Sequence, residues 1–200
     1  MDKSRFFSQL AGEWEAHHSC VDERANLARL VGLFSLKPGN RVLDAGCGTG
    51  RLLPFLRSAV EPNGWIAELD FAPEMLRIGQ MKARSGSVIF LRADSEKLPF
   101  RSVAFDAVVC FSLFPHLDHP KEAASEFLRV LLPGCRLFIA HLMSREELNR
   151  MHGMTSGPVK HDMLPDAAAM TRILESAGFS LVCIVDRPGL YLVEALRPNS

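Results

Sequence analysis

The 200-residue chain reads as an α/β protein, and its patterning predicts this in three ways. Strand-like and helix-like segments alternate from residue 41 onward, glycine and proline stand at the joints between them, and several strands are apolar at nearly every position. A run such as Ala107-Val108-Val109-Cys110-Phe111 suits a strand buried on both faces, which means a parallel sheet with helices on either side.

The elements follow in order. Residues 1–35 are expected to form a helical cap, and Arg41 to Ala45 a short buried strand that runs into a glycine turn and a helix over Leu52 to Ala59. A second such unit joins a strand at Trp65 to Leu69 to a helix opened by Ala72-Pro73-Glu74, where proline is tolerated in the first turn and Glu74 suits the positive helix end. Further strands are expected at Val88 to Leu91, Phe105 to Phe111 and Arg136 to His141. The last two enclose a helix from Pro120 to about Leu131 that Pro133-Gly134 is expected to end. A helix from Pro165 to Ala177 stops at Gly178, and Leu181 to Val185 and Tyr191 to Ala195 flank Asp186-Arg187-Pro188-Gly189 as a closing hairpin.

Composition narrows the function classes. The 23 basic and 23 acidic residues cancel, so no global field draws the chain to nucleic acid or to an anionic membrane. The apolar stretches fall well short of the ~20 residues that span a bilayer, and the first residues lack the pattern of a secretion signal. The expectation is a cytoplasmic protein without a membrane span, acting on a small molecule. Five widely spaced cysteines, Cys20, Cys47, Cys110, Cys135 and Cys183, contain no C-x-x-C pair and read as reduced thiols, with Cys110 and Cys183 in apolar runs.

The strongest chemical signal is Val42-Leu43-Asp44-Ala45-Gly46-Cys47-Gly48-Thr49-Gly50, a strand running into a turn where a ligand can approach the backbone closely. The dinucleotide fingerprint G-x-G-x-x-G needs a glycine at position 51, which is Arg51, so a nicotinamide-dependent oxidoreductase is the weaker reading. Asp70 closes the second strand, where a carboxylate can accept both hydroxyls of a ribose at the crevice beyond the strand ends. Asp94 follows the third strand, where it can accept from an adenine amino group.

Taken together, these stretches resemble the class I S-adenosylmethionine-dependent methyltransferases, in particular the broad type 11 group of small-molecule enzymes. The resemblance covers roughly residues 41–141. It rests on the glycine motif at 42–50, the stretch ending Asp70-Phe71-Ala72-Pro73-Glu74-Met75-Leu76, Asp94 to Phe100, Phe105 to Val109, and Leu132 to Leu137. Cys135 stands where glycine is common, and Ala72 where serine is usual.

It implies a Rossmann-like sheet of seven mostly parallel strands, helices on both faces and a C-terminal antiparallel hairpin. It also implies a cofactor, S-adenosylmethionine, held by Asp44, Gly46, Gly48, Gly50, Asp70, Phe71, Asp94, Ser95, Cys110 and Phe111. Gly46 and Gly48 would pass against the methionine part while Asp44 orients the loop. Asp70 would hold the ribose and Asp94 and Ser95 the adenine, and backbone near Cys110 and Phe111 would approach the methionine ammonium. A cofactor-binding module without catalysis would carry the same motifs.

Methyl transfer needs few protein groups, because the sulfonium already activates the methyl and the protein chiefly aligns a nucleophile behind it. The acceptor side is expected from residues 1–35, with Phe6, Phe7, Trp14, His17 and His18, and from an insert at 142–165 with Met143, Met151, Met154 and Met163; residues 36–141 form the cofactor core and 166–200 the closing helix and hairpin. On that division, deleting residues 1–16 damages turnover more than cofactor affinity. His116 and His141, at the ends of the fourth and fifth strands, are the candidate general bases. His141, His152 and His161-Asp162 could converge on a metal, but their spacing matches no compact ligand motif, so none is expected.

Overall fold

A computed structural model describes residues 2–17, 21–83 and 87–199. Its seven-stranded sheet has the order β3-β2-β1-β4-β5-β7-β6, from β1 (Arg41–Ala45), β2 (Trp65–Asp70), β3 (Val88–Arg92), β4 (Phe105–Phe111), β5 (Leu131–His141), β6 (Ser180–Arg187) and β7 (Leu190–Leu196). The pairings from β3 to β5 are parallel; β7 lies antiparallel to both β5 and β6. This is the mixed sheet with a closing hairpin expected from the sequence.

Two cores explain why the strands are apolar throughout. Leu43, Val108 and Cys110 face one core with Phe127 of α5 (Pro120–Val130) and Leu174 of α7 (Ala167–Ala177). Their chain neighbours Val42, Ala107 and Val109 face the other, with Leu30 of α2 (Val21–Leu33) and Leu56 of α3 (Leu53–Val60). The period-two alternation of a strand thus sends successive side chains into opposite layers.

Beside this frame, α1 (Lys3–His17) packs against α4 (Pro73–Lys82) through Ala11 and Met75. The remaining helix, α6 (Arg145–Met154), starts at a capping box in which Ser144 and Glu147 exchange hydrogen bonds. Among the described residues, no helix is long and apolar enough to cross a membrane. Cys47, Cys110, Cys135 and Cys183 are free thiols, Cys183 only half-buried, and Cys20 lies outside the described residues.

The boundary that departs furthest from expectation lies between α5 and β5. The helix α5 ends at Val130, and Pro133-Gly134 lies inside β5 rather than closing the helix. A long-range cap replaces the expected local one: Arg197 Nη1 donates to the carbonyls of Leu128, Arg129 and Leu131 at 2.9, 3.2 and 2.5 Å. Gly134, with φ +75°, donates its N–H to Arg197 O, so the turn serves β5 and the chain end together.

Candidate active site

The glycine turn between β1 and α3 is held from β2. Gly46 and Cys47 donate their N–H groups to Leu69 O, and Asp70 Oδ2 accepts from Gly48 N at 2.9 Å. The other Asp70 oxygen accepts from Ala72 N at 2.8 Å. Asp70 is therefore a hinge pin between the glycine turn and the start of α4, besides being the acid at the strand end. Burial raises its pKa, and the backbone N–H donors oppose that shift.

A crevice opens beyond these strand ends. Its walls are Gly46, Gly48, Asp70, Phe71 and Met75 on one side and Phe111, Ser112, Leu113 and His116 on the other, with Phe7, Trp14 and Arg51 over it. Gly48 has φ +55°, and a Cβ there would meet nothing closer than Met75 Sδ at 3.9 Å, so it would stand in the crevice itself. Gly46, at φ +70°, has no such room, because a Cβ would meet Leu113 at 2.8 Å. A continuation lined by Gly46, Asp70, Phe71, Asp94 and Ser95 leads toward the β3 end.

The structure thus brings together Gly46, Gly48, Asp70, Phe71, Asp94, Ser95 and Phe111. Asp44, Gly50 and Cys110 lie behind the lining rather than in it. Gly50 packs where a Cβ would meet Glu68 Oε2 at 3.6 Å and Gly79 Cα at 3.7 Å, so its role is close approach to α4. Asp44 is 1% exposed, and neither carboxylate oxygen has a hydrogen-bond partner among the described residues.

A second cavity adjoins the crevice and shares Trp14, Arg51, Phe111, Ser112 and His116 with it. Its far wall is His141, Leu142, Met143, Leu148, Met151 and His152, and α2 contributes Asp22, Glu23 and Asn26. Of the other residues expected here, Met154 and Met163 are exposed outside it, and Phe6 packs against Gly157. His18 and the side chain of His17 lie outside the described residues. Among the described residues, no group of three or more His, Cys, Asp or Glu side chains is placed to hold a metal ion.

His116 occupies a 3₁₀ turn, Phe114–His116, after β4. Its Nδ1 lies 2.7 Å from Asp162 Oδ2, while His141 is buried at the end of β5 with Nε2 unpartnered among the described residues. Burial first, then His116 and His152, push the His141 pKa down to about 3, so that ring stays neutral.

Four functional residues escaped the sequence reading. Arg51, an argument there only against a dinucleotide, bridges both cavities and pairs with Glu23. Ser112 adopts φ +54° where the crevice meets the cavity, and no sequence signal marks it. Asp162, read only as a possible metal ligand, is the partner of His116, and Lys3 holds its other oxygen at 3.0 Å.

A parallel sheet with a glycine turn after β1, an acid closing β2 and a crevice at the strand ends defines a nucleoside-cofactor-binding α/β protein. The comparisons narrow that class. Residues 43–139 match the methyltransferase domain family. Over 113 residues the chain is 39% identical to the ubiquinone/menaquinone biosynthesis C-methyltransferase UbiE of Ectopseudomonas mendocina, an alignment covering 54% of this chain and 44% of that protein. The match therefore spans less than half the length of this curated relative.

In fold, the chain is similar to a SAM-dependent methyltransferase from Aquifex aeolicus, with a TM-score of 0.73 and 22% identity over 98% of this chain and all of that one. It is also similar to the [4+2]-cyclase SpnF, with a TM-score of 0.70 and 23% identity over 86% and 81% of the two chains. Residues 43–139 thus carry a match to the methyltransferase domain, and that domain implies S-adenosylmethionine as cofactor. The residues fit it: an open glycine cradle at Gly48, a buried acid at Asp70 and aromatic cover from Phe7, Phe71 and Trp14.

Proposed function

We propose that this protein transfers a methyl group from S-adenosylmethionine to a small-molecule acceptor. The observation that carries the proposal is the shared wall: a cofactor in the glycine crevice faces, across Phe111, Ser112 and His116, whatever occupies the second cavity. The cofactor supplies an activated methyl, and the protein's part is alignment, exclusion of water and proton management.

In this reading Gly46 and Gly48 lie along the amino-acid part of the cofactor, Asp70 and Phe71 hold the ribose, and Asp94 and Ser95 meet the base. Phe111 and Ser112 separate cofactor from acceptor. The second cavity's apolar wall of Leu142, Met143, Leu148 and Met151 favours an acceptor with an aromatic or apolar body. The balanced net charge favours a small molecule over nucleic acid and is in keeping with a cytoplasmic enzyme.

Fold alone does not carry this activity, since a [4+2]-cyclase shares it. The test is calorimetry with S-adenosylmethionine and with a nicotinamide dinucleotide, followed by a metabolite screen with methyl-labelled cofactor. Binding of the sulfonium compound and label in an acceptor are expected. Binding without transfer to any acceptor would make the chain a cofactor-binding module, and preference for the dinucleotide would sink the proposal.

A further inference from the structure

We propose that Asp162 and Lys3 are positioning residues that make His116 the general base for an acceptor whose nucleophile loses a proton, such as a hydroxyl, at the shared wall. This deepens the methyl-transfer reading and rests on it.

Three separate parts of the chain converge on Asp162. From the turn after β4, His116 places Nδ1 at 2.7 Å from Oδ2. From α1, Lys3 places Nζ at 3.0 Å from Oδ1, and the same ammonium donates to His116 O at 2.9 Å and to Asp118 Oδ1 at 2.8 Å. From α6, His152 Nδ1 lies 2.5 Å from the Asp162 carbonyl oxygen. Asp162 is only 8% exposed, so these contacts are not a solvated surface pair.

The geometry sets the tautomer. A carboxylate only accepts, so the ring proton of neutral His116 sits on Nδ1 and the lone pair on Nε2. Phe7 and His152 flank the ring, each with its centroid 5.0 Å away, and His116 lines both the crevice and the second cavity. Asp162 stays ionised: burial raises its pKa, but the hydrogen bonds from His116 and Lys3 outweigh that and lower it. Burial lowers the His116 pKa against the pull of Asp162, so the base is unprotonated near neutrality. His141, the rival base, has no carboxylate partner among the described residues, and its depressed pKa leaves it a poor proton acceptor.

The chemistry requires such a base for a nucleophile that carries a proton to lose, of which a hydroxyl is the plainest case. A thioether or tertiary amine has a free lone pair and no proton to lose, whereas a hydroxyl must shed its proton as it attacks. The acceptor oxygen forms its bond to the methyl carbon while its proton passes to Nε2 of His116. The electron pair of the breaking carbon–sulfur bond remains on sulfur, and the proton leaves the imidazolium to water. Asp162 stabilises that imidazolium, and Lys3 tempers Asp162 while tying the base to the seating of α1.

Histidine NMR on the full chain bound to S-adenosylhomocysteine tests this without an acceptor. The wild type should show the Nδ1–H tautomer at His116. Asp162→Asn should lower the His116 pKa and Lys3→Met should raise it, because the anion favours the imidazolium and the cation opposes it. Opposite shifts establish the charge coupling to His116, and turnover and its pH profile then separate a base from a merely structural contact. With labelled cofactor and a library of hydroxyl compounds set against their O-methyl ethers, Asp162→Asn should lower kcat at least about tenfold. The acidic limb of the pH profile should follow the His116 pKa in both variants.

An Nε2–H tautomer, shifts of the same sign, or equal turnover on the ethers would overturn the proposal. Should Asp162→Asn not fold, the wild-type tautomer and Lys3→Met still decide it. Loss of S-adenosylhomocysteine binding in the wild type would instead defeat the underlying methyl-transfer reading.

Discussion

The crevice and the neighbouring cavity are built by different means. The crevice is organised around backbone and strand ends under an aromatic cover: Gly46 and Gly48 follow β1, and Asp70 closes β2 and fastens the turn to α4. The cavity is side chains drawn from α1, α2, β4, β5 and α6, with no contiguous stretch supplying most of its wall. In the proposed reading, the first arrangement holds its ligand largely through backbone geometry. The other can change its occupant by changing side chains without disturbing the sheet.

The largest effect should come from putting a side chain into the backbone-built region. Gly48→Val adds a β-branched group at φ +55°, a conformation such residues strongly disfavour, and its Cβ stands in the crevice. Calorimetry should detect no S-adenosylmethionine binding, while circular dichroism still reports the α/β fold. Retained affinity in a folded variant would remove the glycine turn from the site.

Next comes Asp70→Ala. Hydrogen bonds to charged groups contribute roughly 1.5 to 3 kcal/mol each, so a loss of about tenfold or more in cofactor affinity is expected. Because Asp70 also accepts from Gly48 and Ala72, part of that loss would come from a loosened turn. Asp70→Asn keeps an oxygen for one backbone donor and separates the two contributions. An affinity unchanged in both variants would reduce Asp70 to a structural pin.

The same contrast explains what was legible in the sequence. The strands, the glycine turn and Asp70 could be read because each is a local pattern: apolar runs, positive-φ glycines and an acid at a strand end. The α5 boundary could not, because Arg197, far along the chain, caps that helix and lets Pro133-Gly134 serve β5. Asp162 and Lys3 were equally hidden. Their meeting with His116 spans 46 residues in one direction and 113 in the other, and nothing near either residue marks it. The helix α1 reaches further than the sequence suggested, since Phe7 and Trp14 line the cofactor crevice itself.

That reach gives a smaller prediction. Trp14 lines both regions, so Trp14→Ala should weaken cofactor and acceptor together instead of the acceptor alone. Loss of an aromatic contact of about 1 kcal/mol corresponds to roughly a fivefold rise in the cofactor Kd. Deleting residues 1–16 should accordingly lower cofactor affinity as well as turnover. Turnover lost at constant Kd would restore the sharper division in which α1 serves the acceptor only.

The smallest effect concerns stability and lies behind the crevice. Asp44 of β1 is the register partner of Glu68 of β2, and both carboxyls are buried, Asp44 without a hydrogen-bond partner among the described residues. Burial, then the charge of Asp70, pushes the Asp44 pKa up to about 8, and burial followed by Asp44 raises that of Glu68. Unfolded carboxylates titrate near ~4, so across the window from about pH 4 to 8 the unfolded chain sheds protons that the folded chain retains. Stability of the ligand-free protein should therefore fall as pH rises through that window. Asp44→Asn has no such proton to lose, and at pH 8 it should raise the melting midpoint, by roughly 2–4 °C for each kcal/mol recovered. At pH 4 the two proteins should melt nearly together. Scanning calorimetry of both at pH 4, 6 and 8 decides the matter. A gain that does not grow with pH would mean that Asp44 finds a donor in solution and ionises in the folded protein, which would bring it from behind the lining into the cofactor site.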